Sequence, residues 1–275
     1  MVMMKSTAVR LSSLAFVVGL GCGSSEPDVL TYEEFKAQAA VEDETGFWIV
    51  DGDTIIENEE GMRAVYDSFL ASVDATSNDG LSTTEQGLIV NRVGSRDDKW
   101  SATAARNITY CVSRSSFGSR YNTVVSAMNA ATAAWEQAGN VNFVHNTAQD
   151  GNCTASNTAV VFDVRQTSTT SYLARAFFPS NSRSSRNVLV SVSSFGNIAP
   201  YTLTGILRHE LGHTLGFRHE HTRPEAGTCF ENNAWRALTT YDSASVMHYP
   251  QCNGSNNGDL VLTSRDRSGT ATLYP

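Results

Sequence analysis

The stretch HELGHTLGFRHEH, residues 209–221, holds four of the six histidines of this 275-residue chain. His209 and His213 are four residues apart, and on an α-helix this spacing puts two side chains one turn apart on the same face. Gly216 and His219 follow at intervals of three, and a glycine lets the chain leave the helix and turn back. The spacing therefore predicts that His209, His213 and His219 converge on one metal ion.

Glu210 lies beside the first of these histidines. Three protein ligands with one open position are typical of catalytic zinc, and a neighbouring glutamate is suited to take a proton from a zinc-bound water. Leu207, Leu211 and Leu215 give the same helix an apolar side, as expected for a core helix that lines a cleft. The alternative is a solvated helix on which histidines pair with glutamates.

Charge divides the chain into two parts of opposite sign. Residues 26–98 contain 18 acidic and 4 basic side chains, whereas residues 99–275 contain 10 acidic and 14 basic ones. Opposite charges favour docking of one part on the other, and a solvated acidic spacer is the alternative. The arginines and lysines are scattered rather than clustered, which argues against nucleic-acid binding.

The acidic part carries its own patterns. Residues 47–56 predict two strands joined by a turn at Asp51-Gly52, and residues 61–73 have the apolar spacing of a helix. Residues 74–105 are rich in Ser, Thr, Asn, Asp and Gly, and predict a linker.

The remainder alternates between strand and helix patterns, which predicts an α/β (α+β) domain with a mixed twisted sheet. Strands are predicted at 107–112, 141–146, 159–165, 173–179 and 187–195, and helices at 122–139, 203–216 and 262–275. The last helix is predicted to begin with Thr263 or Ser264 as its cap.

The first 22 residues have the pattern of an export signal. Lys5 and Arg10 precede a short apolar run at 11–20, and Cys22 follows. This end resembles that of a bacterial lipoprotein signal, which would give an outer-membrane or cell-surface protein anchored by lipid on Cys22. Ordinary signal cleavage and secretion, or a buried cysteine, are the alternatives. The body of the chain contains no apolar run of the length that spans a membrane.

Four cysteines remain, an even number that in an exported chain favours two disulfides. Of the three pairings, we favour Cys111–Cys153 and Cys229–Cys252, because each closes the shorter loop. A structural zinc is the alternative, although the chain has no CxxC pair to support it.

Together with SVMHYP at residues 245–250, the opening stretch resembles the metzincin zinc metallopeptidases. The resemblance implies a metzincin-like catalytic domain with an active-site helix and a C-terminal helix, and places Met247 beneath the three histidines. HELGHTLGFRH and SVMHY are most similar to the astacin branch, in which the position of Tyr249 is a further zinc ligand. HEHTRPE, residues 219–225, resembles the dual-action HEIGH-type peptidases of myxobacteria, and the choice between the two branches stays open.

The resemblance also implies a function and its control. The chain would be a zinc-dependent endopeptidase acting on proteins or peptides, with one catalytic Zn²⁺, Glu210 as general base and Tyr249 stabilising the oxyanion. Residues 173–179 would form the edge strand that pairs with substrate, although an ordinary core strand is the alternative. Glu220 matches a residue that meets the mature N-terminus, and a surface carboxylate is its alternative.

Metzincins are often made as precursors, so the expected order is a signal at 1–22, an acidic pro-segment and linker at 23–98, and the peptidase domain at 99–275. Asp51 or Asp53 resembles the aspartate that plugs the zinc site of astacin precursors, and a plain hairpin turn is the alternative. Cleavage near residues 92–99 would release the domain. The competing functions are a lipid-anchored binding protein with an idle metzincin fold and a hydrolase of non-peptide substrates.

Three histidines are left outside the metal set. His145 is predicted to be a surface or edge-strand residue, His248 to pack or form hydrogen bonds in the methionine turn, and His221 to be a surface residue.

Overall fold

The computed structural model describes residues 30–76, 88–229 and 231–275. Its helices and its mixed sheet confirm the predicted α/β class. The predicted signal at 1–22, with Cys22, lies outside the described residues. No helix in the described ranges is both long enough and apolar enough to cross a membrane.

The N-terminal part is a small antiparallel sheet with two helices. Its elements are α1 (Tyr32–Ala39), β1 (Ala40–Glu42), β2 (Trp48–Val50), β3 (Thr54–Ile56) and α2 (Glu59–Thr76). The strands run in the order β1-β2-β3, which confirms the predicted hairpin at 47–56. Phe35, Val50 and Met62 form a separate small core there, and burial of these side chains holds α1 and α2 on the strands.

The linker predicted at 74–105 is wrong for residues 88–105. Here the chain forms β4 (Ile89–Val93), β5 (Arg96–Asp97) and α3 (Ala102–Ala105). Leu88, Ile89 and Val90 are fully buried, and Leu88 and Val90 belong to the main core. Three consecutive apolar residues in a polar stretch are too few to show the alternation that is typical of a strand. The sequence pattern therefore did not predict β4.

The main sheet and the helices around it make up the rest of the chain. In chain order its elements are β6 (Ile108–Val112), α4 (Arg114–Phe117), α5 (Tyr121–Glu136), β7 (Phe143–His145), β8 (Phe162–Thr167), β9 (Ala174–Arg175), β10 (Asn187–Ser191), α6 (Leu203–Thr214), β11 (Trp235–Ala237) and α7 (Ser264–Leu273).

Strand order in this sheet is β7-β6-β8-β10-β9, parallel except for the antiparallel β9. Strand β9 is therefore an edge strand, shorter than the predicted 173–179. Another three-stranded sheet has the order β11-β4-β5. It lies against the segment that follows α6, because Val90 of β4 forms an antiparallel bridge with Phe217. Helix α6 packs on α5, where the indole N–H of Trp135 donates to the Arg208 carbonyl at 2.8 Å.

Two local features confirm the sequence predictions. Helix α7 begins after Thr263, whose hydroxyl accepts from the Asp266 N–H while the Asp266 carboxylate accepts from the Thr263 N–H, a capping box. The disulfides join Cys111 to Cys153 and Cys229 to Cys252, so the alternative of a structural zinc on these cysteines is excluded.

Candidate metal centre

Helix α6 carries the first two histidines and the glutamate. It begins at the Thr202 cap, whose hydroxyl accepts from the Gly205 N–H at 2.9 Å. The apolar side of α6 is buried in the main core. The opposite side of the helix carries His209, Glu210 and His213. The rings of His209 and His213 have centroids 5.0 Å apart, as the spacing of four residues predicts.

Gly216 ends this helix and redirects the chain. Its φ of 96° is in the region that residues other than glycine rarely adopt. A Cβ added there would overlap the carbonyl oxygen of Asp98. After the turn the chain brings His219 back, so that its Nε2 lies 3.2 Å from Nε2 of His209. The structure therefore brings the three histidines together, as the sequence predicts.

Each of the three imidazoles is oriented through its Nδ1. His209 Nδ1 lies 2.7 Å from the Val246 carbonyl oxygen, and His213 Nδ1 lies 2.8 Å from that of Phe217. His219 Nδ1 contacts Oε1 of Glu231. A ring that donates from Nδ1 presents the lone pair of Nε2, so all three Nε2 atoms are left for the common centre.

Residues 245–250, called here the methionine turn, lie beneath the candidate metal centre. The hydroxyl of Ser245 donates to Asp266 at 2.6 Å and the Val246 N–H donates to the same carboxylate at 2.9 Å, which ties the turn to α7. Met247 is fully buried beneath α6, and a Cβ added at Gly212 would overlap its sulfur. Glycine at position 212 thus allows the close approach of helix and turn.

Tyr249 reaches the centre from the end of the same turn. Its ring lies 4.5 Å from that of His219 and 5.3 Å from that of His209, centroid to centroid. Its hydroxyl donates to Oδ2 of Asp53, a residue from the N-terminal part of the chain.

Asp53 lies at the meeting point of the three histidines. Its Oδ2 is 3.2 Å from Nε2 of both His209 and His219, and its Oδ1 is 3.6 Å from Nε2 of His213. Burial opposes the charge of this carboxylate, but the facing imidazoles of His219 and His213 hold the pKa of Asp53 well below its usual range.

The turn between β2 and β3 explains why Asp53 rather than Asp51 enters the centre. Asp51 and Gly52 have φ of 56° and 97°, and this tight turn aims Asp53 inwards. Gly52 lies against the Tyr249 ring, where an added Cβ would be 3.2 Å from the hydroxyl. Of the two predicted aspartates, only Asp53 forms a group with the histidines.

The donor set fits a metal ion such as zinc. One ligand atom from each of Asp53, His209, His213 and His219 lies within 4.8 Å of the others. Within the described ranges, His213 Nε2 and Asp53 Oδ1 are buried without a hydrogen-bond partner. Buried polar atoms are normally paired, and a zinc ion held by imidazole nitrogen and carboxylate oxygen would give both atoms a partner.

Glu210 lies next to this centre on α6. Its side chain is buried, and its Oε2 has no hydrogen-bond partner among the described residues. Burial first, and then the charge of Asp53, raise the pKa of Glu210 well above its usual value. A carboxylate in such a position is suited to hold a proton.

For two neighbouring residues, the structure overturns the prediction for His221 and the alternative for Glu220. His221 is not a surface residue, because it is buried, stacks on Tyr249 with ring centroids 4.8 Å apart and lies 3.3 Å from Oε1 of Glu231. Glu220 is not a surface carboxylate, because it is fully buried and accepts from the Asp242 N–H at 3.0 Å. Its role with a mature N-terminus stays a prediction.

The other two histidines agree with expectation. His145 lies on the edge strand β7, stacks on Tyr110 and contacts Asp150 at 3.0 Å. His248 is buried in the methionine turn, with its Nε2 2.8 Å from the hydroxyl of Tyr241. Neither residue faces the candidate metal centre.

Glu231 is the residue of this centre that sequence analysis missed. Besides contacting His219, it accepts from Arg218 at 2.5 Å. Against the effect of burial, the imidazole of His219 first and then the guanidinium of Arg218 hold the pKa of Glu231 well below its usual value. No motif marks Glu231, since it follows His219 by twelve residues in a loop, and only the fold brings it back.

Glu231 is expected to support metal binding through His219. Replacing it by alanine leaves Nδ1 of His219 without its carboxylate, so we expect zinc affinity to fall by about 10- to 100-fold. Glutamine keeps an acceptor oxygen and should cause a smaller loss. Competition with a chromophoric chelator measures the change, and Glu225→Gln in the same loop is the control. Unchanged zinc affinity in Glu231→Ala would contradict the role.

Comparison with known proteins finds a matching family and several similar proteins. The sequence model of the dual-action HEIGH metallo-peptidase family matches residues 83–234. Blastula protease 10 of Paracentrotus lividus is 33% identical over 92 residues, which cover 26% of this chain and 15% of that protein. The chain therefore corresponds to a small part of the length of that curated relative.

Two solved structures are similar at low identity. That of myroilysin has a TM-score of 0.47 at 19% identity and covers 68% of this chain and 98% of its own. That of high choriolytic enzyme 1, a hatching enzyme zinc-protease from Oryzias latipes, has a TM-score of 0.45 at 21% identity and covers 67% of this chain and 98% of its own.

Proposed function

The chain belongs to the family of dual-action HEIGH metallopeptidases and is a metzincin, and on that premise we propose that it is a zinc-dependent endopeptidase. The observation that carries the proposal is the convergence of Nε2 of His209, His213 and His219 beside Glu210. These three histidines are the proposed zinc ligands, and Tyr249 is proposed as a further ligand.

In the proposed reaction, the chain's own residues move a proton and stabilise charge. A zinc ion bound here would supply Lewis-acid chemistry and acidify water. Glu210 takes a proton from the attacking water and passes it to the leaving nitrogen of the peptide bond. The Tyr249 hydroxyl donates a hydrogen bond to the oxyanion that develops on the peptide carbonyl. Glu210 is buried, and its Oε2 has no hydrogen-bond partner among the described residues. This and the contacts of Tyr249 with the histidine rings support these roles.

We further propose that the chain is made as a precursor in which Asp53 plugs the centre. The plug is supported by the contacts of both Asp53 oxygens with the three imidazoles. The pro-segment is proposed to end before Leu88 rather than at residue 98. Strand β4 pairs with β11 and Leu88 lies in the main core, so a cut at 92–99 would sever a packed hairpin of the peptidase domain.

Export remains the other part of the proposal. The pattern of residues 1–22 supports a signal, with Cys22 as the lipid-bearing residue of an outer-membrane or cell-surface lipoprotein. Secretion after ordinary signal cleavage is the competing route. The two disulfides support an oxidising compartment in either case.

One experiment tests the activity and the processing together. The full-length chain is expressed in a bacterial host, its N-terminus is determined by mass spectrometry, and casein digestion is measured before and after processing. We expect the processed form to digest casein, to lose the activity with a zinc chelator and to regain it with Zn²⁺. Zinc binding without digestion of casein or a peptide library would instead favour the idle binding protein.

A further inference from the structure

Arg175 is a fully buried cation on the edge strand β9, and a residue of the pro-segment neutralises it. Its Nε donates to Oδ2 of Asp43 at 2.7 Å, and the side chains of the two residues are 0% and 1% exposed. A second guanidinium nitrogen donates to the Thr45 hydroxyl at 3.2 Å. Both acceptors lie between β1 and β2, outside the peptidase domain.

Within the described part of the peptidase domain, Arg175 has only neutral partners. Its remaining nitrogen donates to the amide oxygen of Asn187 at 2.8 Å, and the hydroxyl of Tyr172 lies beside the same ion pair. No carboxylate in the described ranges 88–229 and 231–275 forms an ion pair with it. Removal of the pro-segment therefore takes away the counter-ion of this guanidinium and opens the place of the lost carboxylate to another one.

This cation lies beside the catalytic residues. Strand β9 packs on α6, the helix of His209 and Glu210. The charge of Arg175 reaches Glu210 and lowers its pKa, against the larger raising effects of burial and Asp53. A peptide that crosses the centre along the edge strand would bring a side chain to the place where Asp43 now lies.

We propose that Arg175 forms a carboxylate-binding subsite, filled by Asp43 in the precursor and by an acidic side chain of the substrate in the processed enzyme. The substrate class is then a peptide with aspartate or glutamate within a few residues of the cleaved bond. A planar guanidinium that is already held by Asn187 is suited to bind a carboxylate through two parallel hydrogen bonds. The inference rests on the proposed peptidase function.

The test compares matched peptides that differ only in aspartate or asparagine at single positions around the cleaved bond. For the processed wild-type enzyme, we expect kcat/KM to be at least about tenfold higher for the aspartate peptide at one position, the fold-change of a charge-assisted hydrogen bond. Arg175→Gln should reduce this ratio to about one, and Arg175→Lys should leave part of it.

Arg165→Gln is the matched control, because it removes the same charge from the neighbouring part of the sheet. The carboxylate that Arg165 binds, Asp163, also pairs with Arg183 at 2.8 Å, so this substitution leaves no unpaired charge. The control should keep the preference for aspartate. Equal rates for both peptides in the wild type, or an unchanged ratio in Arg175→Gln, would overturn the proposal.

A binding measurement separates failure of the subsite from failure of the proposed activity. Processed Glu210→Gln protein is titrated with the same fluorescent peptides, which requires no turnover. Tighter binding of the aspartate peptide that depends on Arg175 supports the subsite even if no peptide is cleaved, in which case only the peptidase function fails. Equal binding of both peptides overturns the subsite whether or not the wild type cleaves them.

Discussion

Replacing Glu210 by glutamine is expected to lower kcat for peptide cleavage by about 10²- to 10⁴-fold, the range that a positioned general base contributes. Glutamine has nearly the same size as glutamate, but its amide cannot act as a base at neutral pH. The three histidines do not depend on Glu210 for their orientation, because their Nδ1 atoms are held by Val246, Phe217 and Glu231. The variant should therefore keep one zinc per chain, which metal analysis of the processed protein measures beside the rate with a quenched-fluorescence peptide.

Two comparisons make the result specific. Tyr249→Phe should also retain zinc and should lose less activity, because it removes a hydrogen bond to the oxyanion rather than the base. Glu225→Gln changes a carboxylate that is 42% exposed and pairs with Arg223, and should behave as the wild type. Activity of Glu210→Gln within a factor of ten of the wild type would mean that another group takes the proton.

In the unprocessed full-length chain, Asp53→Asn is expected to raise peptide cleavage by about 10- to 100-fold. The Asp53 carboxylate faces the three imidazole Nε2 atoms and would bind the zinc that they hold, and loss of even one hydrogen bond to a charged group costs about 1.5–3 kcal/mol. A neutral amide loses most of that attraction, so the hairpin leaves the centre more often and peptide can enter. Initial rates on a small fluorogenic peptide, with the chain length checked at the end of the assay, measure the gain.

Asp51→Asn is the matched control for this experiment. Asp51 lies two residues away in the same turn, and asparagine tolerates its positive φ. Burial raises the pKa of Asp51 to about 7, so this substitution makes the same change of side chain but removes less charge. Asp51 is outside the group that Asp53 forms with the histidines, so the unprocessed chain should stay latent. If Asp53→Asn stays as inactive as Asp51→Asn, the carboxylate does not block the centre.

Much of the fold and the centre could be predicted because the relevant signals are local. The spacing of His209 and His213 follows from one helical turn, and Gly216 marks the point where the chain turns towards His219. The hairpin at 47–56 and the cap at Thr263 are also short-range patterns, and the structure has both of them.

The parts that could not be predicted depend on contacts between distant segments. Glu231 acquires its place only because its loop folds back on His219, and His221 is buried by the same loop. Strand β4 is an apolar triplet whose partner β11 lies more than 140 residues away. Arg175 lies in the strand predicted at 173–179, but its ion pair with Asp43 joins residues 132 positions apart.

The short strand β2 sets the distance between two anchors of the proposed pro-segment. Asp43 lies before β2 and Asp53 after it, at the opposite end of a strand of three residues, a span of about 10 Å at the usual rise per residue. Asp43 contacts Arg175 on β9, and Asp53 contacts the three histidines, so the proposed pro-segment would act as a bivalent ligand with β2 as its spacer. When one contact opens, the other keeps its partner at a high local concentration. Single openings are then reversible, and lasting release requires both carboxylates to leave together.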